Sequence, residues 1–407
     1  MRSKRSISVI YIIYIITTIN MAVMVSDYKA ICNKVGAVCT LLLMLLLIYY
    51  YHGKLSYPRL ERRLMLSVVL FLSYFTLTSL IKGSIANTVE SVIYYLIEFS
   101  SIFMILYFEK NGDNEGQKIL LVIFFFLWDV FCLLSIYTYI KSPSIARLMA
   151  AYRSSYSSMI IGGGYPLAYG SAILGVYLLQ NIIEYKNQNR NFRIAAIAEI
   201  ALLTILVYFT DSFVILVSML LGYLLCIFRH TFKGSFYIIS MVSLFVITLV
   251  IFFNIQSVLE WLLNINNNDF IEKRLYEWYN LVANDVTSYH LDKRSGLYEM
   301  SIQTFLQHPI IGVGYKFGNL GSLQRTFGVG AHSTILDSLA QYGLVGSIPL
   351  FSIILYPFHR NGEKKYSSIY LLVFAFMLFL NPCFTTYHCL LIVYLIVPLL
   401  QKFLEIR

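Results

Sequence analysis

The chain has 407 residues, of which 58% are hydrophobic and only 13% charged, and it carries a formal net charge of +10. Soluble globular domains hold about 45–50% apolar residues, so this composition excludes a soluble fold. The basic residues sit in short clusters between apolar runs, a pattern that orients membrane spans, so the positive charge does not point to nucleic acid.

Read from the N-terminus, Met1–Arg5 is a basic flank (MRSKR), followed by an apolar run over about residues 6–24. No small-residue cleavage site follows, so the run is expected to stay as the first span, with the N-terminus in the cytoplasm. A second span is expected over 35–51. The connection at 52–63, with Lys54, Arg59, Arg62 and Arg63, then lies inside. Spans three to six are expected near 64–81, 88–108, 119–140 and 158–179. Span seven ends near Thr210, span eight near Phe228, and span nine covers about 236–253. A long outer segment, 254–333, precedes span ten at 334–358. Spans eleven and twelve, 369–380 and 384–400, form a hairpin around Asn381-Pro382.

The expected fold is therefore an all-α integral membrane protein of about twelve helices with one large external loop. A single membrane domain results, made of 1–253, the loop 254–333 and 334–407, with both termini in the cytoplasm. Under this threading nearly every basic loop cluster falls on the cytoplasmic side. The six cysteines, Cys32, Cys39, Cys132, Cys226, Cys383 and Cys389, form no C-x-x-C pair. They read as small apolar residues rather than metal ligands.

The least apolar long stretch runs from Leu291 to Ser347. It holds Arg294, then Tyr298 four residues later, then His308-Pro309-Ile310-Ile311-Gly312-Val313-Gly314. After an interval come Ala331-His332-Ser333 and an apolar helix with Gly343-Leu344-Val345-Gly346. The order of these pieces resembles the O-antigen polymerase and O-antigen ligase superfamily. Tyr298 and Ser333 stand where that superfamily usually has Trp and Asn.

The resemblance implies a GT-C-like membrane glycosyltransferase. Such an enzyme moves a glycan from an undecaprenyl diphosphate carrier to a sugar hydroxyl on a second lipid-linked molecule, outside the cytoplasmic membrane. It implies no metal and no cofactor. Its partners would be lipid-linked oligosaccharide and membrane lipids, with a chain-length regulator as a further candidate. A polymerase of capsule or other surface polysaccharide is the first reading. A ligase is the second, and a flippase for lipid-linked sugars is the rival from another class. A flippase predicts internal repeats, and none is evident here.

The residue types suit that chemistry. A departing diphosphate needs its charge neutralised, and guanidinium makes bidentate bonds to phosphate at any relevant pH. An imidazole can take the acceptor hydroxyl's proton. His332 and Arg294 are thus the candidate catalytic residues. Arg153, Arg147, Arg274, Arg325, Tyr298 and Asp337 are candidate substrate contacts. Each also admits a plainer reading. His332 and Ser333 precede a helix that Ser333 would cap. Arg294 sits in a charged cluster, and arginines near helix ends snorkel to headgroups. Arg274 and Arg325 fit ordinary ion pairing or none. Asp337, one turn into the helix, would order an arginine or the histidine, or form an internal pair. Gly312-x-Gly314 follows no strand, so it reads as a sharp turn rather than a dinucleotide loop.

Overall fold

The computed structural model describes residues 59–82, 85–111, 114–142, 145–146, 164–184, 190–231, 255–265, 272, 275–276, 279–280, 289–314, 328–362, 369–384 and 387–405. The sequence-expected spans one, two and nine lie outside these residues, as do Arg147, Arg153, Arg274 and Arg325. Among the described residues the structure is helical, without strands.

In chain order the helices are α1 (Arg59–Lys82), α2 (Ile85–Glu98), α3 (Ser100–Asn111), α4 (Asn114–Lys141), α5 (Tyr165–Glu184), α6 (Arg190–Phe209), α7 (Phe213–Thr231), α8 (Ile255–Ile265), α9 (Tyr289–Gln307), α10 (Thr334–Gly362), α11 (Ile369–Leu380), α12 (Tyr387–Leu391) and α13 (Val397–Glu405). Six of them, α1, α4, α5, α6, α7 and α10, are long and apolar enough to cross a membrane. The protein is a multi-pass, all-α membrane protein.

The span faces follow from helical periodicity. On α4, Leu120, Phe124, Trp128, Phe131, Ser135 and Tyr139 are buried at spacings of three and four, whereas Val122, Phe126, Leu133 and Tyr137 are exposed. Since the exposed face is as apolar as the buried one, its solvent is lipid. Helix α5 is buried on nearly every side and packs against α6, α7 and α11. A Cβ on Gly222 of α7 would come within 2.6 Å of Val176 and 2.7 Å of Val373, so helix approach there requires glycine.

Span four is not one rod. The chain turns at Phe99, where the Ile102 N–H bonds to the Phe99 carbonyl at 3.0 Å, and this separates α2 from α3. Phe99 is fully buried in an aromatic group with Phe71, Phe75, Tyr95 and Tyr342. The last span is divided too, because a π-helical turn, Ile392–Ile396, joins α12 to α13 just before Pro398. Proline also explains one odd bond. Pro357 in α10 has no N–H for the Ile353 carbonyl, and the Tyr394 hydroxyl donates to that carbonyl at 2.5 Å instead.

Candidate functional site

The site is built where α9 lies against the start of α10. Ser333 caps α10, its Oγ accepting the Leu336 N–H at 3.3 Å. Asp337, four residues on, turns its carboxylate back over the preceding loop. One oxygen accepts from the Ser301 hydroxyl at 2.7 Å and from the Ala331 N–H at 3.1 Å. The other accepts from the Ser333 N–H at 2.8 Å. The His332 amide also bonds to this carboxylate. Three successive backbone amides are therefore gathered on one side chain.

This wrap forces an unusual backbone. Ala331 has φ of +58°, a left-handed conformation that costs a non-glycine residue about 1 kcal/mol or more. The carboxylate bonds on either side hold it there. The loop also lies directly on α9. The Gly330 N–H donates to Ser301 Oγ at 2.8 Å, and a Cβ on Gly330 would come within 2.7 Å of the Leu297 carbonyl carbon. Thr304 donates to the Gly328 carbonyl at 2.7 Å. The chain therefore runs along α9 from Thr304 toward Leu297, and His332 follows two residues later. His332 is half-buried.

Arg294 belongs to α9. It precedes Tyr298 by four residues and Ser301 by seven in that helix. The structure thus brings the Arg294 backbone and the His332 loop to one end of the same helix pair. The Tyr298 hydroxyl donates to the Leu380 carbonyl at 3.1 Å, tying α9 to the end of α11. Thr334 completes the tie, because its N–H and hydroxyl both donate to the Asn381 carbonyl, at 3.2 and 2.9 Å. Asp337 and Tyr298 therefore have internal partners that bind loop and helices together. Among the described residues, no group of three or more His, Cys, Asp or Glu is placed to hold a metal ion.

Below the loop lies a second construction. Helix α10 is interrupted at Gly343, whose φ is +57°. The interruption leaves backbone groups without helical partners, and the segment 309–314 supplies them. Val313 and Gly314 N–H donate to the Ala340 and Gln341 carbonyls at 3.0 and 2.7 Å. Leu344 and Val345 N–H donate to the Pro309 and Ile310 carbonyls at 2.8 and 3.1 Å. The two chains are so close that a Cβ on Gly343 would come within 2.5 Å of Gly312 N, and one on Gly312 within 2.7 Å of Gln341. The Tyr74 hydroxyl of α1 donates to the Ile311 carbonyl, and Tyr95 and Tyr342 share a hydroxyl–hydroxyl bond beside the break.

The two glycine-bearing motifs are thus halves of one clasp, which spacing alone did not reveal. Ser301, Thr304 and Gly330 were likewise not singled out in the sequence, and Asn381 was read only as a hairpin turn. For Ser301, its spacing of seven residues from Arg294 was the available signal.

Residues 198–351 match the family model described as O-antigen ligase. The matched stretch, similar to that family, is less than half of the chain. This region includes the clasp, the Asp337 wrap and the helix bearing Arg294, whereas Arg147 and Arg153 fall before it. No curated protein matches the chain. The O-antigen ligase and polymerase superfamily resemblance read from the motifs is supported by this match.

Proposed function

We propose that this protein is a polysaccharide polymerase, transferring glycan from an undecaprenyl-diphosphate-linked unit to a sugar hydroxyl of another lipid-linked unit. The supporting observation is the presentation of His332 on a loop held by Asp337 and laid along the helix of Arg294, inside the family-matched region. In this reading His332 takes the acceptor hydroxyl proton as the oxygen attacks the anomeric carbon. The bond from that carbon to the diphosphate oxygen breaks, and the diphosphate leaves with the electron pair. Arg294 neutralises the leaving charge. Arg153 or Arg147, with Arg274 and Arg325, are the further guanidinium candidates. Attack and departure on opposite faces invert the anomeric centre. Asp337 and Tyr298 are given supporting roles, because their observed bonds run to protein groups.

A ligase is the second reading, favoured by the printed description of the matching family. It uses the same residues and differs in its acceptor. Incubating the purified chain with one defined diphosphate-linked oligosaccharide separates the two. A ladder of longer lipid-linked products supports the polymerase. Transfer that occurs only when a different lipid acceptor is added supports the ligase. No transfer under either condition, from protein that remains folded, removes both. A reporter fused at Gly321 tests the expected outward orientation, and a cytoplasmic signal would overturn it.

A further inference from the structure

Two independent rulers set the depth of the clasp. Helix α10 begins at Thr334 and breaks at Gly343, nine residues or about 13 Å along its axis at 1.5 Å per residue. The candidate span of α1 ends at Ile81, and the Tyr74 that bonds the Ile311 carbonyl lies seven residues or about 10 Å inside that end. Together they place the segment 309–314 between about a third and a half of the way into a hydrocarbon layer of ~30 Å.

The surface of this segment agrees with that depth. Leu306, Ile310 and Ile311 are 68%, 64% and 50% exposed. The bonds from Leu344 and Val345 place them beside the outer face of α10, where Leu344, Val345 and Ile348 are themselves exposed. That face belongs to a candidate membrane span, so the apolar strip on α9 continues a lipid-facing surface. Along one stripe of α9, at helical spacing, the exposed residues change from polar Ser295 and Glu299 to apolar Ile302 and Leu306, while the polar Gln303, Gln307 and His308 are exposed beside that stripe. Such a gradient suits a helix descending from headgroups into acyl chains. Non-helical backbone at membrane depth must have its polar groups paired, and the clasp pairs the Gly312, Val313 and Gly314 amides and the Pro309, Ile310 and Ile311 carbonyls.

We propose that Pro309–Gly314 is a re-entrant wedge inside the bilayer, with Leu306, Ile310 and Ile311 in contact with phospholipid acyl chains. The loop of His332 then rests on a membrane-embedded floor rather than projecting into water. This inference depends on the protein being in a membrane, not on the chemistry it performs.

The test places the photoreactive residue benzoylphenylalanine at Ile310, Leu306 or Glu299 of the full chain. The protein is reconstituted in vesicles of phosphatidylethanolamine and phosphatidylglycerol. Ile205, exposed on the span of α6, is the lipid-facing control, and an unchanged size-exclusion profile qualifies each variant. After irradiation, intact mass reports phospholipid adducts. Adducts at Ile310 and Leu306 as abundant as at Ile205, and several-fold above Glu299, are expected. Adducts at Ile205 but none at Ile310 and Leu306, equal labelling at Glu299 and Ile310, or crosslinks from Ile310 to a second copy of the chain would each overturn the proposal.

Discussion

Ser301 and Asp337 lie 36 residues apart and are joined by a 2.7 Å hydrogen bond. Ser301 also accepts the Gly330 N–H, so one hydroxyl links the helix, the loop and the carboxylate that orders His332. The arrangement is a relay of position, not of charge. Its members can be removed one at a time.

Asp337→Ala strips the acceptor from Ser301, Ala331 and Ser333 together. A loss of roughly 3 kcal/mol is expected, because several buried donors lose their partner. Transfer activity should vanish with it. Asp337→Asn keeps one carbonyl oxygen and should fall between the two. Ser301→Ala should cost about 1 kcal/mol. Thermal unfolding in detergent and product yield on gels check the ranking, which fails if Ser301→Ala proves the more damaging.

Gly343→Ala and Gly312→Ala should both lower the yield of folded protein. Each position has a positive φ, and each added methyl would meet backbone rather than a yielding side chain. The left-handed conformation alone costs about 1–2 kcal/mol. Gly296→Ala, where a Cβ meets nothing within 4 Å, is the matched control and should express normally. Fluorescence-detected size exclusion distinguishes them.

Much of this was legible in the chain and some was not. The apolar runs placed the six span-length helices, and Ser333 was read as a helix cap. Ile369–Leu380 was read with its observed bounds. The motif order placed Arg294 and His332 in one region. The breaks were less visible. The π-helical turn at Ile392 lies in uniformly apolar sequence, where periodicity carries no mark of a bend, and Phe99 lies between Glu98 and Ser100 inside a run otherwise apolar enough to read as one span. Gly343 was seen as a motif glycine. Its partner Gly312 is far away in sequence, and only tertiary pairing makes the two complementary. Asp337 was read as ordering an arginine or the histidine. Its observed partners are the Ser301 hydroxyl and backbone amides, that of His332 among them, and amides are groups that every residue but proline supplies and no pattern can flag.

Arg294→Lys tests whether the fork of the guanidinium matters. Losing one charge-assisted bond of ~1.5–3 kcal/mol should lower kcat about tenfold to a hundredfold, while the protein still folds. Arg294→Ala and His332→Ala should each abolish long products. Normal chain lengths from both would remove them from the site. Single-turnover assays with the defined oligosaccharide separate slow chemistry from weak binding.

Tyr298→Phe removes the donor to the Leu380 carbonyl. We expect a loss of about 1 kcal/mol in stability with kcat close to that of the parent. A large fall in kcat with no change in unfolding temperature would instead place the hydroxyl on the substrate.

Broken helices inside membranes often serve as hinges. The interruption at Gly343 is different, because four reciprocal backbone bonds close it and Ser347 reaches across to the Ser338 carbonyl at 2.9 Å. Flexing there would tear all of these bonds in a medium that offers no replacement. The two portions of α10 and the wedge between them should consequently travel as one rigid piece, and any opening that admits a bulky glycan must come from other parts of the molecule.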